Sequence, residues 1–137
     1  MVVNPQRWII GTISQQDEAN KFINSAVLFS MLGELITKLY GFVGTARVKV
    51  LSIKHEHIDL KTKSDNLYII ICERGCFQEV LTTLLFLSEI RQAQSTEKSV
   101  KGKLVRWNTL KVANSERMAY GFITTYRKEL EQNIQQD

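Results

Sequence analysis

The chain has 137 residues, 44% of them hydrophobic and 23% charged, an ordinary globular balance that predicts one domain over 1–137. One proline, seven glycines and two cysteines exclude a collagen-like repeat, proline-rich disorder and a disulfide framework. The net charge of +4, from 18 Lys and Arg against 14 Asp and Glu, is too mild to name a partner, so its distribution matters more.

The opening Met-Val-Val-Asn-Pro lacks the plan of a signal peptide, and no apolar run approaches the roughly 20 residues of a membrane span. The expectation is a soluble, intracellular protein in a reducing compartment, without a membrane partner.

Residues 7–14 carry Trp8, Ile9, Ile10 and Ile13 behind Pro5 and read as a strand. Ser14-Gln15-Gln16-Asp17 has the Ser-x-x-acid spacing of a helix cap. Phe22, Ala26, Phe29, Leu32, Leu35, Ile36 and Leu39 follow at helical spacings, giving a helix that Gly41 ends. Residues 45–54 alternate Val48 and Val50 with Arg47 and Lys49, which predicts a strand with one charged face.

A polar stretch over 55–66 carries a turn, and residues 67–72 form an almost wholly apolar strand. Residues 75–90 read as a helix with Phe77, Val80, Leu81, Leu84, Leu85 and Ser88 on one stripe. A polar loop over 91–102 leads to a fourth strand, 103–112. The last helix, 115–132, is expected to bury Met118, Phe122, Tyr126, Leu130 and Ile134.

The order β-α-β-β-α-β-α predicts an α+β fold, a ferredoxin-like or RRM-like α/β sandwich on a mainly antiparallel four-stranded sheet of order 4-1-3-2. Right-handed crossovers put the first two helices on one face. The apolar strands 7–14 and 67–72 then sit centrally, and the cationic strands lie at the edges.

Residues with reactive chemistry do not assemble into a site. The pair Gly41 and Gly44 follows a helix C-terminus, where carbonyls repel anions, and reads as a helix-ending turn. Arg74-Gly75 opens a helix after a strand, a better anion position, although a plain turn accounts for it as well. His55-x-His57 and Cys72-x-x-x-Cys76 lack zinc spacing. No nucleophile, base and orienter set or Walker loop occurs, so an autonomous enzyme is not expected.

The cations concentrate instead. Residues 98–111 hold Lys98, Lys101, Lys103, Arg106 and Lys111 without an acid, and 46–54 hold Arg47, Lys49 and Lys54, again without an acid. Interleaved with Trp107, Asn108 and Thr109, such residues suit phosphate and ribose contacts. Lysines that keep an edge strand from aggregating would look the same. The third strand, Leu67-Tyr68-Ile69-Ile70-Ile71-Cys72, lacks an aromatic base-stacking platform.

Arg7-Trp8-Ile9-Ile10, the run Tyr40-Gly41-Phe42-Val43-Gly44-Thr45-Ala46, and Ile71-Cys72-Glu73-Arg74 together resemble the Pop-five/Rpp-fourteen family of small ribonuclease P and ribonuclease MRP subunits. Val80, Leu84, Leu85, Leu87 and Ile90 match the family's following helix, and the similarity spans about residues 7–130. The Arg-Cys-like strand end and the last helix favour the Pop-five branch. After strand four, Val112-Ala113-Asn114-Ser115-Glu116-Arg117 keeps only the first and last residues of the usual Val-Ser-Gly-Thr-Ile-Arg.

The resemblance implies a non-catalytic subunit that stabilises the catalytic RNA for 5′ maturation of precursor tRNA. It implies no cofactor in the protein, with Mg2+ associated with the RNA. Its implied partners are ribonuclease P RNA, MRP RNA, a barrel-like protein subunit and a paralogous small subunit. The location is the nucleus and nucleolus in a eukaryote and the cytoplasm in an archaeon. The expected RNA-binding residues are Arg47, Lys49, Lys54, Arg74, Lys101, Lys103, Arg106, Lys111 and Arg117. The alternative is a ferredoxin-like ligand-binding or dimerisation module that regulates another protein.

Overall fold

Strand β1, Gln6–Gln15, is central in the computed structural model, which describes residues 5–15, 24–59, 64–87, 89–90 and 103–135. The remaining elements in chain order are α1 (Ser25–Arg47), β2 (Val50–Asp59), β3 (Ser64–Glu73), a 3-10 turn (Arg74–Cys76), α2 (Phe77–Leu85), β4 (Glu89–Ile90), β5 (Lys103–Ala113) and α3 (Glu116–Gln135). The sheet order is β2-β3-β1-β5-β4 and every pairing is antiparallel. The four long strands therefore take the expected 4-1-3-2 order of a ferredoxin-like fold. The two-residue β4, placed by the sequence reading inside a helix, covers β5 at Lys103 and Leu104.

Alternation along the central strands supplies two cores. Ile9, Tyr68, Ile70 and Cys72 face α1 and α2, while Trp8, Ile10, Leu67, Ile69 and Ile71 face α3. The near-continuous apolar run of β3 is thereby explained: it is covered on both faces.

Helix α1 starts later than the Ser14–Asp17 spacing suggested, because Ser14 lies in β1. Its cap is Asn24, whose Oδ1 accepts from the Ala26 N–H at 2.8 Å. Leu28, Leu32 and Ile36 form its buried stripe, leaving Phe29 and Leu39 exposed. Gly41 does adopt the left-handed conformation, with φ 73°. The helix nevertheless resumes to Arg47 and closes where the Val48 N–H donates to the Gly44 carbonyl at 2.8 Å. The predicted strand over 45–54 is thus corrected to a β2 that begins at Val50.

Contrary to the sequence expectation, α1 is long and apolar enough by composition to cross a membrane, with mean hydropathy 1.5. Its stripe of Leu28, Leu32 and Ile36 is buried on the sheet, and the helix breaks at Gly41.

Helix α3 buries Ala119 and Ile123, with Tyr120, Phe122, Tyr126 and Leu130 half-buried. Of the expected face, Phe122, Tyr126 and Leu130 do pack on this core, Met118 is 50% exposed, and the side chain of Ile134 lies outside the described residues. The predicted turn over 55–66 is also shorter than expected, because β2 runs to Asp59 and β3 starts at Ser64. His55 and His57 therefore sit on a strand. The Asn66 Oδ1 lies 2.7 Å from His55 Nε2 and 2.9 Å from His57 Nδ1. An amide oxygen only accepts, so both ring nitrogens donate.

Gly11 is a position where side-chain absence is required. A Cβ there would collide with the Trp107 ring and the Asn108 carbonyl oxygen. The register shifts beside it, between Ile10 and Gly11, which marks a bulge where Trp107 closely approaches β1.

Both cysteines are buried thiols. Burial, reinforced by Cys76 and Glu73 against the opposing pull of Arg7, pushes the Cys72 thiol up to about 12 from 9.0. The fold thus favours the protonated form. Stability from this group is intact below pH 9.0 and lost as pH rises towards about 12. Denaturant midpoints should fall across this range, and the fall should be smaller in Cys72→Ala. Native protein should leave Cys72 unreacted with a thiol reagent that labels the unfolded chain.

Candidate nucleic-acid interface

Antiparallel pairing decides which cations meet. Gln6 opposes Glu73, Val50 opposes Cys72, and Trp8 opposes Ala113. The start of β1, the start of β2, the end of β3 and the end of β5 therefore share one end of the sheet. Arg7, Arg47, Lys49, Arg74 and Arg117 come to that end from separate segments. Arg47, Lys49, Arg74 and Arg117 are exposed. Glu73 and Glu116 also lie there, so the end is basic in balance but not acid-free.

Local contacts fix this end. The Arg74 N–H donates to the Pro5 carbonyl at 2.9 Å, tying the 3-10 turn to the lead into β1. The Cys76 thiol lies 3.6 Å from both the Lys49 and Glu73 carbonyl oxygens, joining the start of β2 to the end of β3. The Arg7 guanidinium sits 5.9 Å from the centroid of the Phe77 ring, a cation–π contact that holds a charge beside the exposed arginines. Arg7 is missing from the expected set because its Arg-aromatic signal was read as strand start rather than as a charged site.

Two of the expected positions change character. Arg47 is in the last turn of α1 and Lys49 in the connection to β2, not on a strand edge. Arg47 there also complements the negative end of the helix dipole.

Lys54 does lie on the edge strand β2. Its Nζ is 5.1 Å from the centroid of the Trp8 ring, on the α3 face of the sheet. Along β5, Arg106 and Lys111 are exposed. Lys103 pairs with Ile90 in the backbone, while its side chain and the whole of Lys101 fall outside the described residues. Trp107 is buried, with its Nε1 donating to Thr109 Oγ1 at 2.8 Å. It is therefore a core residue and takes no part in the phosphate and ribose contacts that its place among the cations suggests.

An apolar surface adjoins the basic end. Phe42 is 93% and Val43 86% exposed at the break in α1. Phe29, Gly33, Ile36, Thr45, Val48 and Leu51, with Lys49 of the basic end, line an open groove of about 300 Å³ along β2. Among the described residues, no group of three or more His, Cys, Asp or Glu side chains is placed to hold a metal ion.

The family model described as Rpp14/Pop5 family matches residues 7–124. Among curated proteins, none matches.

Proposed function

The chain belongs to the Rpp14/Pop5 family, whose members are protein subunits of ribonuclease P, and from that membership we propose that it is a non-catalytic subunit that binds and braces the catalytic RNA for 5′ maturation of precursor tRNA. The observation that carries the proposal is the convergence of Arg7, Arg47, Lys49, Arg74 and Arg117 at one end of the sheet. Close-packed phosphates of a folded RNA repel one another, and cations on a rigid frame offset that repulsion while releasing condensed counterions. Such work needs no nucleophile or general base. The cleavage chemistry in this reading belongs to the RNA and its magnesium ions.

The Cys72-Glu73-Arg74 strand end and the long α3 support the Pop-five branch. The same chemistry extends the proposal to the RNA of ribonuclease MRP. The apolar knob of Phe42 and Val43 and the groove along β2 are assigned to protein partners, the barrel-like subunit and a paralogous small subunit. Covering them would bury surface that is costly to leave in water. The particle is placed in the nucleus and nucleolus of a eukaryote, or in the cytoplasm of an archaeon.

The test is purification of the tagged full chain from its own cells, followed by sequencing of the RNA that accompanies it. Ribonuclease P RNA is the expected dominant species. Phe42→Ser/Val43→Ser should still carry RNA in reconstitution but lose the protein subunits. Recovery of the chain without ribonuclease P RNA would remove the proposal.

A further inference from the structure

The α3 side of β1 and β5 forms a second surface, which shares no residue with the basic end. Trp8 and Ile10 face α3, so alternation continues that side through Thr12 and Ser14. Trp107 and Val112 of β5 pack with the opposite core, which places Arg106, Asn108 and Lys111 on the α3 side. The register puts these residues side by side: Thr12 opposes Asn108, Ser14 opposes Arg106, and Ile10 opposes Lys111. Ser14, Arg106, Asn108 and Lys111 are exposed and Thr12 is half-buried. Neither strand contains an acidic residue.

The same face of the sheet carries aromatic rings from α3. Tyr120 packs edge-on against Trp8, with ring centroids 6.2 Å apart, and Lys54 of β2 reaches the same ring. At about 100° per residue, Phe122 and Tyr126 lie across the Ala119–Ile123 stripe from Tyr120. Their half-buried rings stack on each other at 6.0 Å, inclined by 24°.

We infer that this shelf binds an unpaired RNA segment. The inference rests on the ribonuclease P reading above and names the kind of RNA that this face takes. Arg106 and Lys111 neutralise phosphates spaced along one strand. Thr12, Ser14 and Asn108 offer short hydroxyl and amide groups to 2′-hydroxyls and base edges, and the aromatic rings offer a face for an unstacked base. A duplex keeps its base faces inside its own stack, so the aromatic pair and the short polar groups would go unused. An acidic protein surface would use the two cations but not the aromatic rings.

The test titrates the full chain by fluorescence anisotropy against an unstructured RNA of about 12 nucleotides, a duplex of similar length, and folded ribonuclease P RNA. Two variants are compared with wild type: Ser14→Asp/Asn108→Asp, which adds repulsion, and Arg106→Gln/Lys111→Gln, which removes attraction. Circular dichroism monitors folding, and the Gln pair decides if the Asp pair is unfolded. Wild type should bind the unstructured RNA more tightly than the duplex. Each variant should weaken that binding at least tenfold and weaken binding of the folded RNA by a smaller factor, since Arg47, Lys49 and Arg74 also hold the folded RNA.

Unchanged binding of the unstructured RNA by the variants, or preference for the duplex, overturns the inference. Wild type that binds folded RNA but not the unstructured strand overturns it too and leaves the ribonuclease P reading standing. Binding of neither removes both.

Discussion

Replacing Arg47, Lys49 and Arg74 together by Gln should produce the largest loss of affinity for ribonuclease P RNA. The three side chains are exposed and approach one end of the sheet from α1, the lead into β2 and the turn after β3. If each meets a phosphate, each loss flattens the log-log salt dependence by roughly 0.7 to 0.9 units, so the triple variant should lose about two units or more. Lys128, exposed on α3, is the control, and Lys128→Gln should leave the slope unchanged. Thermal unfolding should shift little, since exposed positions cost within about 0.5 kcal/mol each, with Arg47 costing up to about 1 kcal/mol through the helix end. A slope unchanged in the triple variant would move the RNA contact away from this end.

Gly11→Ala should be the most damaging small substitution in the sheet. The added methyl would meet the Trp107 ring and the Asn108 carbonyl oxygen. Neither neighbour yields easily: the carbonyl belongs to the paired backbone of β5, and the ring is held by its own hydrogen bond to Thr109. Overpacking of this kind costs about 1–3 kcal/mol, read as a fall of about 3–6 °C in Tm per kcal/mol for a domain of this size. Gly33→Ala is the counterpart. It lies within α1 with open space where the methyl would go, and alanine there should stabilise by up to about 1 kcal/mol. Opposite signs from the same chemical change would establish that the close approach of β5, and not the loss of glycine itself, sets the cost. Equal effects would contradict it.

Local periodicity specifies the order of the elements and the sheet that follows from it. Apolar runs at Trp8–Ile10 and Leu67–Cys72 specify central strands because only positions covered on both faces tolerate them. Short-range pattern also located β5 and α3, and the motif order around Arg7, Gly41 and Cys72 pointed to the family. Its failures share one cause. The alternation of Arg47, Val48, Lys49 and Val50 is a strand pattern by local periodicity, but the last turn of α1 holds Arg47 through the Val48–Gly44 closure. The segment 88–90 continued a helical stripe, yet Glu89 and Ile90 found backbone partners in Leu104 and Lys103, and tertiary pairing overrode propensity.

The candidate interface followed the same division. Composition revealed which segments were basic, but not that their ends would meet. Only the antiparallel register, pairing Gln6 with Glu73, Val50 with Cys72 and Trp8 with Ala113, gathers Arg7, Arg47, Lys49, Arg74 and Arg117 at one end. The same register sends Trp107 into the core and turns Arg106, Asn108 and Lys111 towards α3. Charge density is a property of sequence. Charge convergence is a property of pairing between distant residues, which local periodicity does not encode.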